Sequence, residues 1–266
     1  MHDAMRRGAV AGALVALAVA APAAAATREK TLENVYPLDA GGRVVVENVN
    51  GTVAVTSWDR DEVRVVARKR VRAGSAERAS AGLAALKVMV AAKPDELRVR
   101  TRHPRHGVDG VLGWLRGAGV SSSVSYELTV PHGVRLDAET VNGRIDLDGV
   151  DGDLTLTTVN GSIRVRDARG RLEADTVNGR IDVELVAVAP AADLAFSTTN
   201  GSIEVALPED IRTRLEVRTT NGGIDVDFPV EVQGTWGSRR VDADLNGGGG
   251  RLTVSTTNGG IHIRRL

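Results

Sequence analysis

The chain has no cysteine. A zinc–thiolate site, a thiol nucleophile, a disulfide framework and a lipid anchor on cysteine are therefore all excluded. Aromatic residues are scarce at 3%, too few for a surface that stacks single-stranded nucleic acid. No charge excess points to nucleic acid or an acidic membrane, since 34 basic residues balance 34 acidic ones. Beyond the first two dozen residues no apolar run is long enough to span a bilayer. What remains, in 266 residues, is ample apolar material for a core and 30 glycines, many in one recurring motif.

The first segment reads as an export signal. Arg6 and Arg7 form a basic start, Gly8 to Ala21 is an Ala-rich apolar run, and Pro22 leads into the small residues Ala23 to Ala26. Residues 1–26 are thus expected to be a signal peptide, with the mature chain starting near Thr27; retention as an anchor is the alternative. Either way, the rest is expected to be periplasmic or extracellular and associated with the cell envelope.

The dipeptide Asn-Gly recurs at Asn50-Gly51, Asn142-Gly143, Asn160-Gly161, Asn178-Gly179, Asn200-Gly201, Asn221-Gly222 and Asn258-Gly259. From Asn142 the steps are 18, 18, 22, 21 and 37 residues, the last about two steps. In the six downstream copies Leu stands six before Asn (Leu136, Leu154, Leu172, Leu194, Leu215, Leu252), Thr two before, and Ile three after. Apolar and polar residues alternate on both sides, so each copy is two short strands joined at Asn-Gly, residues that tolerate the positive φ of a sharp corner.

Two architectures fit. Each Asn-Gly is a hairpin turn in an antiparallel meander, or each copy is a rung of a β-solenoid whose corners stack. A hairpin sets Glu139 against Asp146 and Asp175 against Asp182, like charges face to face. Stacking in register instead gives outer columns Asp146, Arg164, Asp182, Glu204 and Asp148, Arg166, Glu184, in which opposite charges adjoin; the 22-residue step is expected to displace Asp182 from Glu204. The expected fold class is all-β: a parallel β-helix-like solenoid of 18–22-residue rungs over residues 134–266, with an N-terminal β-rich cap over 27–133. The stacked corners are expected to carry an Asn amide ladder.

Within the cap, Ser75 to Leu86 reads as a short helix with Ser75 as N-cap. Strands are expected at Val63–Val71, Lys87–Ala91, Glu96–Thr101 and Val124–Val130. Residues 102–123 and 229–250 read as long loops.

The Thr-x-Asn-Gly-x-Ile repeats, the segment Tyr126 to Pro131 leading into Gly133 to Leu136, and the Gly247–Gly250 run before Thr256-Thr-Asn-Gly259 resemble the bacterial adhesin-like β-repeat family called toastrack, a domain family of unknown function. The resemblance covers about Leu32 to Leu266. It implies a β-solenoid-like fold, an envelope location and, for some members, association with envelope stress; it brings no catalytic residues.

Candidate chemistry is thin. Asp146, Asp148, Asp151 and Asp153 are dense enough in oxygen ligands for calcium but lack the spacing of a calcium loop. His103 and His106 lack further ligands. Trp114, with Val111, Leu112 and Leu115, is either a contact patch for a partner or an apolar loop packed on the stack. Gly247–Gly250 lacks the Lys-Ser/Thr of a phosphate loop, and Ser121–Ser123 has no identifiable base. No cofactor and no metal is expected. The reading is a noncatalytic envelope scaffold or adhesion-like binding module, not an enzyme, with a protein or glycan partner and the option of self-association through end strands. The alternative is a carbohydrate-active β-helix lyase or hydrolase recruiting Arg144, Arg180, Asp146 and Asp182.

Overall fold

A computed structural model describes residues 25–103, 120–188, 192–231, 236–237 and 239–266. The expected signal segment (all but its last two residues) and the Trp114 loop with His106 lie outside the described residues.

The N-terminal part runs β1 (Ala26–Pro37), β2 (Arg43–Glu47), β3 (Val53–Trp58), β4 (Glu62–Ala73), α1 (Ala76–Ala85), β5 (Lys87–Ala92), β6 (Glu96–Arg102) and β7 (Ser121–Pro131). The repeats follow as β8 (Val134–Asn142), β9 (Ile145–Asp148), β10 (Asp151–Asn160), β11 (Ile163–Asn178), β12 (Ile181–Ala187), β13 (Leu194–Asn200) and β14 (Ile203–Leu207). The chain ends with β15 (Thr213–Asn221), β16 (Ile224–Val226), β17 (Val230–Glu231), β18 (Trp236–Gly237), β19 (Arg240–Leu245), β20 (Gly250–Asn258) and β21 (Ile261–Arg265). Among the described residues no helix is long and apolar enough to cross a membrane.

The chain belongs to the all-β class. Asn-Gly is not a hairpin turn: successive copies pair in parallel and in register, Leu154 opposite both Leu136 and Leu172, and Asn160 opposite both Asn142 and Asn178. Strands before each corner form one run, β6–β2–β8–β10–β11–β13–β20–β15; strands after it form a second, β7–β3–β9–β11–β12–β14–β21–β16. The long β11 serves both, its first half paired with β9 and its second with β10.

Period-2 alternation turns one face of each strand inward. The leucine column Leu136, Leu154, Leu172, Leu194, Leu252, Leu215 is at most 2% exposed throughout, and so is the isoleucine column from Ile145 to Ile261. Each such side chain contributes about 1.5–3 kcal/mol by burial. Ile224, on the last rung, is only partly buried because nothing stacks beyond it among the described residues.

Three expectations need correction here, and one strand was not foreseen. The copies do not stack in sequence order: β20 pairs with β13 on one side and β15 on the other, so the last copy lies between the two before it. The 229–250 stretch is not simply a loop. It contains β19, antiparallel to β15, with Val241, Ala243 and Leu245 buried, and β17 and β18 pair with β19. The copy at Asn50 and the pair β6–β7 are full rungs of the stack, the latter with residues 103–120 where other rungs have Asn-Gly. The strand β1 escaped the sequence reading, because most of its residues are exposed and polar.

Antiparallel strands cover most ends of the stack: β5 lies on β6, β4 and then β1 on β7, and β19 on β15. The outer edge β1 carries Glu29 and Glu33, paired with Arg70 at 2.6 Å and Arg64 at 2.8 Å; charged edges resist pairing with other chains. Helix α1 begins at Ser75, whose hydroxyl accepts from Arg78 N, and packs Ala79 and Gly82 inward. At its far end the buried Lys69 ammonium donates to the Leu83 carbonyl at 3.1 Å and the Leu86 carbonyl at 2.7 Å. Burial, with Lys30 and Lys87 nearby, holds this lysine below its ordinary pKa.

Candidate functional site

The corners form one continuous polar rib. Asn142 Nδ2 donates to Asn50 Oδ1, Asn160 to Asn142 and Asn178 to Asn160, each at 2.9 Å. Asn200 then donates to Asn178 at 2.8 Å, Asn258 to Asn200 at 2.7 Å and Asn221 to Asn258 at 2.8 Å. A primary amide has a donor and an acceptor on opposite sides, so a stack of identical rungs satisfies every interior member.

Behind the amides the threonine column bonds backward. Thr158, Thr176, Thr198, Thr256 and Thr219 donate to the corner glycine carbonyls of the adjoining rung, Gly143, Gly161, Gly179, Gly201 and Gly259, at 2.9–3.1 Å. In the first copy Asn48 takes this place and donates to Gly51 O and Val124 O, while accepting from Thr101 at 2.9 Å. Thr101 also meets the buried Tyr126 hydroxyl at 2.7 Å; burial pushes that phenol up to about 12 despite the bond.

The expected reason for glycine holds at Gly51, whose φ is 125°, but needs correction at five of the downstream corners. Positive φ is absent at Gly143, Gly161, Gly179, Gly201 and Gly222, and none of the corner asparagines has it. Space decides instead: a Cβ on Gly161 would stand 1.9 Å from the Gly143 carbonyl oxygen. Gly143, Gly179, Gly201, Gly222 and Gly259 repeat that close approach to the rung beneath.

Outside the second run of strands, the solvent-facing column reads, in stack order, Asp146, Arg164, Asp182, Glu204, His262, Asp225. Asp146 pairs with Arg144 at 2.7 Å and Asp182 with Arg164 at 3.7 Å. Contrary to the expected displacement, Asp182 and Glu204 are direct register partners. Two arginines offset the repulsion. Glu204 contacts Arg180 and accepts from Arg264 at 3.0 Å. Burial alone would raise its pKa, but Arg264 and Arg180 outweigh it and hold the carboxyl below its ordinary value. Such half-exposed pairs contribute ~0–1 kcal/mol each. The neighbouring column fails beyond Asp148–Arg166, because the register shifts between Val165 and Ala168 and Glu184 lies opposite Ala206.

The acidic run Asp146, Asp148, Asp151, Asp153 is not gathered at one point. Asp146 turns to Arg144, and Asp151 to His132 at 3.2 Å. Among the described residues the metal-ligand cluster is elsewhere, at Asp225, Asp227 and His262. Sequence reasoning missed it because its members come from copies 37 residues apart whose adjacency depends on the inverted stacking order.

The family model described as Toastrack DUF4097 matches residues 120–264, more than half of the chain. The chain belongs to the Toastrack family. The match begins at the first residue before β7 and ends within β21, so it spans every Asn-Gly copy except that at Asn50. Among curated proteins none matches. Crystal structures similar to this Toastrack chain include a candidate cell adhesion protein from Clostridium sporogenes at 11% identity, covering 89% of this chain and 100% of that one with a TM-score of 0.48. A candidate adhesin from Bacteroides fragilis has 10% identity, coverage of 89% and 97%, and a TM-score of 0.29. A candidate lipid-binding protein from Parabacteroides distasonis has 10% identity, coverage of 88% and 96%, and a TM-score of 0.30.

Proposed function

We propose that this Toastrack chain is an exported, noncatalytic scaffold of the bacterial envelope that binds a protein or glycan partner across its outer faces. The segment 1–26 would direct export, the 27–133 region would close one end of the stack, and the Asn-Gly repeats of 134–266 would present the binding faces. A link to envelope-stress regulation belongs to the same proposal.

The observation that carries this reading is the pairing along the second-run face. The four residues a sugar-cleaving enzyme would recruit are each engaged in an ion pair: Arg144 with Asp146, Asp182 with Arg164, and Arg180 with Glu204. A general acid needs a carboxyl pKa raised towards neutrality, whereas Glu204 is shifted the other way. An outer column whose charges are engaged with one another suits recognition by shape and matched charge.

The test is retention of labelled chain on envelope fractions, compared with an Arg144→Glu/Arg180→Glu variant. The reading expects saturable retention that the double charge reversal reduces at least tenfold. Release of reducing ends from bacterial or plant polysaccharides by the purified chain would overturn it in favour of a carbohydrate-active enzyme.

A further inference from the structure

Three side chains meet where the second run of strands ends. Asp225 lies on β16, directly across from its register partner His262 on β21, and Asp227 follows two residues later. The His262 Nε2 is 3.6 Å from an Asp225 carboxylate oxygen and 3.4 Å from an Asp227 carboxylate oxygen. One ligand atom from each residue lies within 4.8 Å of the other two. Asp227 is fixed by its backbone, its N–H donating to the Ile263 carbonyl at 2.9 Å.

His262 Nε2 shares a hydrogen bond with Asp227 at 3.4 Å, and a second histidine in the same chain shows why that bond leaves Asp225 unaccounted for. His132 also stands between two aspartates, but Asp59 meets its Nε2 at 3.4 Å and Asp151 its Nδ1 at 3.2 Å. Each ring nitrogen there faces one carboxylate. At His262 both carboxylates face the same nitrogen, so a single N–H directed at Asp227 leaves Asp225, at 3.6 Å, without a hydrogen bond. A cation seated among the three atoms satisfies all of them.

The spacing fits a small transition ion. Metal–nitrogen distances of ~2.0–2.1 Å and metal–oxygen distances of ~2.0–2.2 Å, at a tetrahedral angle, put donor atoms about 3.4 Å apart. The separations of 3.4 and 3.6 Å match that edge, and the third closes by a rotation of exposed side chains; Asp225 is 75% and Asp227 48% exposed. Charge points the same way. Asp146, Asp182 and Glu204 in this column each have an arginine, whereas among the described residues Asp225 and Asp227 have only the imidazole. An imidazole ligand favours zinc-like ions over calcium or magnesium, which take oxygen ligands.

We propose that Asp225, Asp227 and His262 bind one divalent transition ion of the zinc class. The remaining positions of the ion are open to water or to a ligand brought by a partner. The ion would clamp the end rung β16 onto β21, the strand inserted beneath it.

The test is calorimetric titration of the metal-free, untagged full chain with ZnCl2, with CaCl2 in parallel, and a thermal melt with and without each ion. One Zn2+ per chain and a raised melting midpoint are expected. Asp225→Asn and His262→Ala should each weaken Zn2+ binding at least tenfold, and His132→Ala should leave it unchanged. Circular dichroism of each variant separates loss of the site from loss of the fold, and Asp225→Asn, being exposed, is expected to fold normally. Failure to bind at millimolar Zn2+, Zn2+ binding that survives His262→Ala in a folded chain, or saturable Ca2+ binding without Zn2+ would overturn the proposal.

Discussion

Asn258 donates its side-chain amide to Asn200 at 2.7 Å, although Asn221 lies between them in sequence; Asn221 in turn donates to Asn258 at 2.8 Å. The chain lays down the copy at Asn221, leaves through β19, and returns to insert its last copy into the gap. A parallel rung between two others shares its hydrogen bonds and its apolar side chains with both. The C-terminal segment is therefore interior structure.

Leu252, fully buried between Leu194 and Leu215, should behave as a core residue despite standing fourteen positions from the last residue. Leu252→Ala is expected to cost about 2–5 kcal/mol. Ile224→Ala, on the partly buried end rung, should cost less than half as much. Denaturant unfolding monitored by circular dichroism measures both.

Gly161 and Gly223 separate close approach from mere glycine content. A Cβ at Gly161 meets a carbonyl oxygen at 1.9 Å, whereas at Gly223 nothing lies within 4 Å. Gly161→Ala should destabilise by about 3 kcal/mol or more, and Gly223→Ala should stay within about 0.5 kcal/mol of the parent. Melting temperatures of the two variants decide the matter.

The amide ladder has interior and terminal members. Asn178 both donates to Asn160 and accepts from Asn200, while Asn221 contributes one ladder bond, its donation to Asn258. With ~0.5–1.5 kcal/mol for each bond, Asn178→Ala is expected to cost about twice what Asn221→Ala costs. Equal losses from equilibrium unfolding would mean the rib does not act as a chain of bonds.

Glu204 gives the stack a pH-dependent component. Its carboxyl is held below the ordinary value of 4.5 in the folded state, so its stabilisation is fully present above that value and disappears as the pH falls through the lowered one. The stability advantage of the parent over Glu204→Gln should therefore be constant from pH 6 upward, on the order of an ordinary exposed pair, and shrink below about pH 4.5. Unfolding curves of the two proteins between pH 3 and pH 7 test the sign.

The columns were legible because a solenoid writes the same environment at a fixed offset from each corner: Leu154, Thr158, Asn160 and Ile163 each repeat the role of Leu136, Thr140, Asn142 and Ile145. Their order in space was not, because identical columns stack equally well in any order, and only the strands between copies decide it. Arg240 to Leu245 alternates like any strand, yet the glycine run after it suggested a loop. The rung formed by β6 and β7 has no Asn-Gly corner, so the motif could not reveal it. The Asp225–His262 pair was invisible for the same reason as the order itself, since neither residue has a sequence neighbour that announces the other.

The rung order can be read directly by cross-linking, because the chain has no cysteine of its own. Ser255 is the register partner of both Ser197 and Arg218, one strand away on either side. Neighbouring strands lie about 4.8 Å apart, within reach of a disulfide, and strands two apart lie at about 9.6 Å, beyond it. On mild oxidation, Ser197→Cys paired with Ser255→Cys, and Ser255→Cys paired with Arg218→Cys, should each form an intramolecular disulfide, while Ser197→Cys with Arg218→Cys should not. A disulfide in the last pair, with none in the first, would mean that the copies stack in the order of the sequence and that the C-terminal strand is not inside.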